Sequence, residues 1–275
     1  MNDVNRVEVD RTRFRSTPCR CGPGTPLGGV LLAVLVGLLL AGRTVRGAEA
    51  ADQPAPAKKA EKTEKAAPSK KPAKKKEDPY AWKSMFDGKT LERWEVLQFG
   101  GDGEVKVEDG AIVLGMGDPM TGIKFTGKLP REDYEVMLEA KRTEGIDFFA
   151  TTTFPVGKNC VSLVTGGWAG TVVGISCVDW YDASDNITTQ FKSFEDDQWY
   201  KIRIRVSQPK IECWIDDDKM VDLARKGHKF DVRLEVDLCK PFGISSYMTE
   251  GVVRKLRVRQ LKPEEVYKIK KETKE

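Results

Sequence analysis

Residues 199–223, WYKIRIRVSQPKIECWIDDDKMVDL, are the stretch that decides the fold. Apolar side chains alternate with charged ones over residues 200–206, and Ile211, Cys213 and Ile215 then alternate with Glu212, Trp214 and Asp216. This period of two places apolar groups on one face of a β-strand and charges on the other. Residues 207–209 and the acidic run 216–218 break the pattern as turns. The stretch therefore predicts three antiparallel strands, which need a second apolar layer to cover them.

Similar strand signals continue on both sides of this hairpin. A strand is predicted at residues 134–142, and Asp109-Gly110 predicts a hairpin turn between two short extended runs. Further strands are predicted at residues 148–154, 160–165, 171–175, 242–247 and 252–260, whereas residues 115–130 are predicted as loop. Helical periodicity is confined to a short charged segment beginning at Pro263. Roughly a dozen short strands without an internal repeat predict an all-β jelly-roll sandwich.

The first 50 residues are typical of an export segment. Five arginines in residues 1–26 precede an uncharged apolar run, residues 27–42. A helix of that length rises about 24 Å, less than the roughly 30 Å hydrocarbon core, which favours a secretory signal. Cleavage after the small residues near Ala50 is expected. A retained membrane anchor through residues 27–42 remains the alternative, so the protein is predicted to be periplasmic or extracellular, either free or membrane-tethered.

The remaining chain divides by composition. Residues 51–78 consist mainly of Ala, Pro, Lys, Glu and Ser and predict a disordered linker. Residues 79–262 form the predicted jelly-roll domain, and residues 263–275 a charged tail. The whole chain has a net charge of +4, but residues 1–50 contribute +3 and residues 51–78 contribute +4, so residues 79–275 carry −3. This acidic balance argues against a nucleic-acid partner.

Cysteine and histidine usage excludes several site types. The domain has four widely spaced cysteines, no CxxC pair and one histidine, His228, so neither a zinc site nor a histidine metal triad is predicted. Export would permit disulfides in any of three connectivities. Cys213 lies in the apolar register of its strand and is interpreted as a small buried thiol.

Two glutamates on one strand raise the question of a glycosidase. Glu135 and Glu139 share a face, but four residues separate their α-carbons by about 13 Å, beyond the ~5 to 9.5 Å between the carboxyl groups of glycosidase pairs. Cross-strand pairing with arginines such as Arg203 is the structural alternative.

Polar and aromatic loop residues predict a carbohydrate site. Indole and phenol rings pack on the apolar C–H faces of sugars, while acids and amides bind the hydroxyl groups. The predicted substrate-binding residues are Trp168, Asp179, Trp180, Tyr181, Asp182 and Asn186. The acids are spaced by three rather than at the alternate positions of an EF-hand loop, so no metal ligands are assigned, and a divalent cation such as calcium is kept as an alternative.

Five segments carry a resemblance to a known family. They are MFDGKTLERW (85–94), DYEVMLEAKR (133–142), GGWAGTVVGIS (166–176), the hairpin above and FGISSYMTEGVVRKLRVRQL (242–261). In this order they resemble the 3-keto-disaccharide hydrolase domain, over about residues 82–261. That resemblance implies a concanavalin-like jelly-roll fold. Many members carry Asn-Ser-Gly where this chain has Thr143-Glu144-Gly145, and a histidine and glycine where it has residues 247–251, YMTEG.

The resemblance also implies activity on 3-oxo glycosides, a reaction that needs one base and a stabilised oxyanion. Glu139 is the predicted base, with Arg142 or Arg203 beside it as the cation. The leading hypothesis is an exported domain that hydrolyses or eliminates 3-keto glycosides. A non-catalytic carbohydrate-binding module is the main alternative, and a structural envelope protein is the third.

Overall fold

Strands form where the sequence alternates, and they assemble into two antiparallel sheets. The computed structural model describes residues 78–273. The predicted signal or anchor, residues 1–50, and residues 51–77 of the predicted linker lie outside the described residues, as do residues 274–275. Across residues 78–273, no helix is long and apolar enough to span a lipid bilayer.

The strands are β1 (Lys83–Ser84), β2 (Trp94–Val96), β3 (Val105–Glu108), β4 (Ala111–Leu114), β5 (Met120–Phe125), β6 (Tyr134–Gly145), β7 (Thr151–Val156), β8 (Asn159–Gly166), β9 (Val172–Ser176), β10 (Gln190–Phe191), β11 (Tyr200–Val206), β12 (Lys210–Ile215), β13 (Asp218–Ala224), β14 (Gly243–Tyr247) and β15 (Thr249–Gln260). A 3-10 helix covers Leu234–Cys239 and an α-helix covers Pro263–Glu272.

The strands divide between two sheets. Sheet 1 has the order β13-β12-β11-β6-β15-β4-β3, and β1 pairs with β15 at one end. Sheet 2 has the order β10-β9-β8-β7-β14-β5-β2. The predicted hairpin of residues 199–223 is confirmed, because Ile204 pairs with Cys213 and Cys213 with Val221.

The core lies between the two sheets. Leu138, Ile202 and Ile204 of sheet 1 are buried in one apolar cluster with residues of sheet 2 such as Leu163 and Ile244. Two sheets that face each other through their apolar sides form a sandwich, which confirms the predicted all-β jelly roll. Cys213 is fully buried in this cluster, as predicted, and the cysteines of the described residues are all free thiols.

Charged side chains on the outer face of sheet 1 form a network of ion pairs. Glu135 is almost fully buried there and accepts hydrogen bonds from Arg259 at 2.9 and 2.6 Å and from Arg205 at 3.4 Å. Glu212 forms ion pairs with Arg205, Lys210 and Lys219. The cross-strand pairing proposed for Glu135 is therefore present.

In two segments the structure differs from the sequence prediction or extends it. The loop prediction for residues 115–130 is wrong where β5 forms, because Gly122 lets β5 pass close to its sheet neighbours: a Cβ there would lie 3.0 Å from the carbonyl oxygen of Ile244. The helix Pro263–Glu272 begins at Pro263 as predicted. It is tied to the sandwich through buried Ile269 and through Glu265, which pairs with Arg259 at 2.8 Å.

Candidate functional site

A cleft of about 330 Å³ lies on the outer face of sheet 2. Strand alternation explains its floor. In β8, Leu163 points into the core, so Ser162 and Val164 point outward, and the same rule places Thr151 of β7 and Ser176 of β9 on the outer face. Ser162 is the register partner of Ser176 and of Thr153, and its hydroxyl lies 2.8 Å from that of Thr153. The floor is thus a set of small hydroxyl side chains.

Aromatic side chains form the walls of the cleft. Phe148, Trp168 and Tyr247 line it, and the rings of Phe148 and Tyr247 have centroids 5.6 Å apart. Trp168 stays 41% exposed, so an incoming ligand can reach its indole. Met120 and Val236 complete the apolar part of the lining. Such walls suit the C–H face of a sugar ring.

The turn that carries Trp168 is strained and pinned by an acid. Residues 167–170 form one turn in which Trp168 and Ala169 have φ of 49° and 63°, the left-handed region that side chains with a Cβ rarely adopt. Strain of this kind costs about 1–3 kcal/mol per residue and clusters at ligand sites. Asp147, which lines the cleft, accepts a hydrogen bond from the backbone N–H of Ala169 at 3.1 Å. The carboxylate and the indole are therefore placed by the same contact.

A charged group also lines the cleft and forms its charged rim. Arg233 lines the cleft and donates hydrogen bonds to Asp182 at 2.6 Å and to Glu235 at 2.8 and 3.2 Å. The guanidinium of Arg233 lowers the pKa of the Glu235 carboxyl group. Asp182 also lies 3.4 Å from the hydroxyl of Ser176 on the floor. Of the six predicted substrate-binding residues, Trp168 lines the cleft and Asp182 contacts its lining.

The three predicted catalytic residues do not line the cleft and are not brought together. Glu139 is on the outer face of sheet 1, where it accepts hydrogen bonds from Arg254 at 2.8 Å and Lys255 at 2.9 Å. Partial burial acts to raise the pKa of Glu139, but these two cations outweigh it and the pKa is lowered overall. A lowered pKa makes a weaker general base at neutral pH.

The two predicted cations have separate environments. Arg142 is buried and donates hydrogen bonds to the Asp196 carboxylate at 2.5 Å and to the carbonyl oxygen of Phe194 at 2.8 Å. Arg203 is on sheet 1, with its guanidinium 3.8 Å from the centre of the Trp214 ring. It lines a different cleft, of about 510 Å³.

The other predicted substrate-binding residues lie in, or next to, an open groove beside sheet 2. Asp179, Tyr181 and Asn186 line this groove. The Asn186 amide donates to the carbonyl oxygens of Ile175 and Asp182 at 2.8 and 2.6 Å, so Asn186 holds the loop together. Trp180 is 40% exposed, with the Lys229 ammonium 5.9 Å from its ring.

The loop acids do not fit a calcium site. Asp179 accepts hydrogen bonds from the Lys229 backbone N–H at 2.8 Å, and its carboxylate lies 2.6 Å from Nδ1 of His228; these contacts lower the pKa of Asp179. Asp182 instead binds Arg233. Calcium needs several oxygens around one point, and residues 78–273 contain no group of three His, Cys, Asp or Glu side chains that could hold a metal ion.

Two of the cleft residues that the sequence reasoning missed carry charge. Asp147 stands as a single acid between Ile146 and Phe148 at the entry to β7, a weak signal. Arg233 lies in the long connection between β13 and β14, where no periodicity marks it. Both reach the cleft only because these connections fold over the outer face of sheet 2.

Comparison with known proteins gives one family match and several distant folds. A family model described as the 3-keto-alpha-glucoside-1,2-lyase-like domain matches residues 81–259. No curated protein matches the sequence.

Among solved structures, a laminarinase from Flavobacterium sp. UMI-01 is 13% identical with a TM-score of 0.46, covering 66% of this chain and 100% of that chain. Carbohydrate-binding module CBM66 from Bacillus subtilis is 10% identical with a TM-score of 0.39, covering 61% and 96% of the two chains. Domain 4 of the arabinanase AbnA from Geobacillus stearothermophilus, solved with arabinotriose, is 18% identical with a TM-score of 0.41, covering 63% and 85%. These similarities are too distant to assign a ligand to this chain.

Proposed function

The chain belongs to the 3-keto-alpha-glucoside-1,2-lyase-like domain family, a carbohydrate-active family, and we propose that it cleaves 3-keto glycosides in the cleft on sheet 2. The observation that carries the proposal is the Asp147 carboxylate in a cleft walled by Phe148, Trp168 and Tyr247. The family supports the reaction class, and the geometry of the cleft supports this location.

The reaction needs few protein groups. A carbonyl at C3 acidifies the C2 proton, and removal of that proton by a base gives an enolate. The enolate then re-forms the C3 carbonyl, makes a C1–C2 double bond and expels the aglycone oxygen from C1. The expelled oxygen takes up a proton. Water then adds its hydroxyl to C1 and a proton to C2. The protein must supply a base and polar groups for the enolate oxygen.

Asp147 is the proposed base. One carboxylate oxygen accepts a hydrogen bond from the backbone N–H of Phe148 at 2.8 Å, and the other accepts from Ala169. Both bonds fix the carboxylate direction, and each carboxylate oxygen keeps a second lone pair that can accept the C2 proton. The hydroxyl-lined floor at Ser162 and Ser176, together with Arg233 on the rim, supplies donors and positive charge for an enolate oxygen.

The family pattern supports the same location. Residues 143–145 and 247–251, where this chain differs from many members, lie side by side: Thr249 pairs with Gly145 and Glu250 with Glu144. Tyr247 lines the cleft, and the hydroxyl of Thr249 accepts a hydrogen bond from the backbone N–H of Asp147 at 2.9 Å. The two segments in which this chain departs from many members thus border the proposed base.

The test compares two acids on opposite sheets. Purified protein is incubated with the 3-keto derivative of 4-nitrophenyl glucoside, and 4-nitrophenol release is measured for the wild type, Asp147→Asn and Glu139→Gln. Loss of one positioned general base costs about 10²- to 10⁴-fold in rate, so we expect that loss for Asp147→Asn and less than a twofold change for Glu139→Gln. The reverse ranking would refute the assignment of Asp147. Thermal melting of both variants controls for misfolding.

A non-catalytic sugar-binding module is the second candidate. The observation in its favour is that the Arg233 charge is matched by two carboxylates, Asp182 and Glu235, which weakens its support for an enolate. Glycoside binding that Trp168→Ala weakens, with no aglycone release by the wild type, would select this candidate.

We extend the proposal to location: an exported domain that is released by cleavage near Ala50 or held by residues 27–42. Cell fractionation with N-terminal sequencing of the recovered protein separates the two, because an anchored chain keeps residues 27–42 in the membrane fraction.

A further inference from the structure

Three exposed apolar residues adjoin, in the chain, residues that line the cleft on sheet 2. Ile146 is 70% exposed, Leu234 79% and Met248 52%. Each is the chain neighbour of a lining residue: Ile146 precedes Asp147, Leu234 lies between Arg233 and Glu235, and Met248 follows Tyr247. Isolated exposed apolar residues are ordinary, but a group bordering a cleft marks a binding surface.

Backbone contacts place part of this rim close together. The Ile146 carbonyl oxygen would lie 2.9 Å from a Cβ built at Gly170, so residue 146 adjoins the turn that carries Trp168. The Met248 carbonyl likewise crowds Gly145, next to Ile146. Ile146, Trp168 and Met248 therefore flank one end of the cleft, and Leu234 stands on the segment that carries the charged rim.

The cleft volume limits the size of the ligand that the cleft can enclose. About 330 Å³ is near the lower bound of ligand pockets, which suits one sugar ring with part of its substituent. The polar floor and Asp147 would hold the sugar. The substituent would then meet the apolar rim, while the charged groups beside Leu234 bind one another.

We infer that the substrate is a 3-keto glycoside with an apolar, ring-sized aglycone rather than a 3-keto disaccharide. This inference rests on the proposed function. A second sugar would lose hydrogen bonds to water against Ile146, Leu234 and Met248 without replacing them. An aryl or alicyclic aglycone would bury apolar surface there, and roughly 60 Å² of such burial corresponds to about a tenfold gain in affinity.

The experiment measures binding and turnover together. Full-length protein is titrated by calorimetry with 3-keto phenyl glucoside and with 3-keto maltose, and kcat/KM is measured for both. We expect the phenyl glycoside to bind at least tenfold more tightly. The double variant Leu234→Ser/Met248→Ser should reduce that preference about tenfold. Ile187→Ser is the matched control, because Ile187 is equally exposed, at 69%, but lines the separate groove beside Tyr181.

The outcomes separate the inference from the proposed function. Equal affinity for the two ligands, tighter binding of 3-keto maltose, binding of neither, or a preference that the double variant leaves intact would each overturn the inference. A preference in binding without turnover of either compound would support the inference and refute the lyase proposal.

Discussion

Replacing Glu135 with glutamine should destabilise the protein strongly, although Glu135 lies outside the proposed site. Its side chain is 2% exposed and lies among three guanidinium groups: Arg259 at 2.6 Å, Arg205 at 3.4 Å and Arg203 at 3.5 Å. Glutamine keeps the shape but removes the negative charge and presents N–H groups to donors. The three arginines would then repel one another.

The burial of Glu135 sets the expected loss of stability in Glu135→Gln. Removing one partner of a fully buried ion pair costs about 3–5 kcal/mol. The arginine side chains here are 15% to 32% exposed, so water screens part of the repulsion, and we expect a loss of about 2–4 kcal/mol. For a domain of this size that corresponds to a fall in Tm of roughly 4–16 °C.

Glu139→Gln is the matched control. Glu139 lies on the same strand and face and also binds two cations, but its side chain is 23% exposed, and its partners Arg254 and Lys255 are 32% and 62% exposed. Exposed pairs contribute about 0–1 kcal/mol. Urea unfolding followed by tryptophan fluorescence gives both values. Equal losses for the two variants would refute the reasoning that burial decides the contribution of these ion pairs.

Two further predictions concern the helix and one glycine. The hydrogen bonds from Arg259 lower the pKa of Glu265 to about 2. Because the pKa in the folded state is below its ordinary value, the stability that Glu265 contributes is present above about pH 4.5 and is lost as pH falls toward 2. With the side chain about a third exposed, Glu265→Gln should cost about 1 kcal/mol at pH 7 and flatten the pH dependence of urea unfolding in that window; an unchanged profile would contradict it. Gly251→Ala would place a methyl group against the backbone carbonyl of Phe149 and should destabilise the fold by about 1–3 kcal/mol or more, whereas a melting temperature equal to that of the wild type would show that β15 can shift.

The strands of the sandwich were predictable because alternation is a local property of the chain. Tyr200–Val206 appears as a strand with the predicted bounds, and β6 begins at Tyr134 as predicted. The exception, β5, reads as loop because Gly122 and nearby Pro119 resemble turn residues, and its strand form depends on pairing with β14.

The site was predictable only in part. Trp168 was correctly placed in a glycine-rich loop, and the structure puts it on the cleft wall. The sequence raised cross-strand arginine pairing for Glu139 but did not identify its partners, because Arg254 and Lys255 lie more than a hundred residues away and meet it through the pairing of β6 with β15. Long-range pairing of this kind leaves no local periodicity.

The amino-acid sequence alone determined the two-layer β architecture and the family, since both rest on side-chain alternation and on short motifs that the chain carries in order. Tertiary structure decided which outer face holds the proposed site. Sheet 1 uses its charges in mutual ion pairs, whereas sheet 2 presents small hydroxyl groups, and three connections, residues 146–150, 167–171 and 225–242, add Asp147, Trp168 and Arg233 to them. Those connections have no repeating pattern, so only folding brings their side chains together.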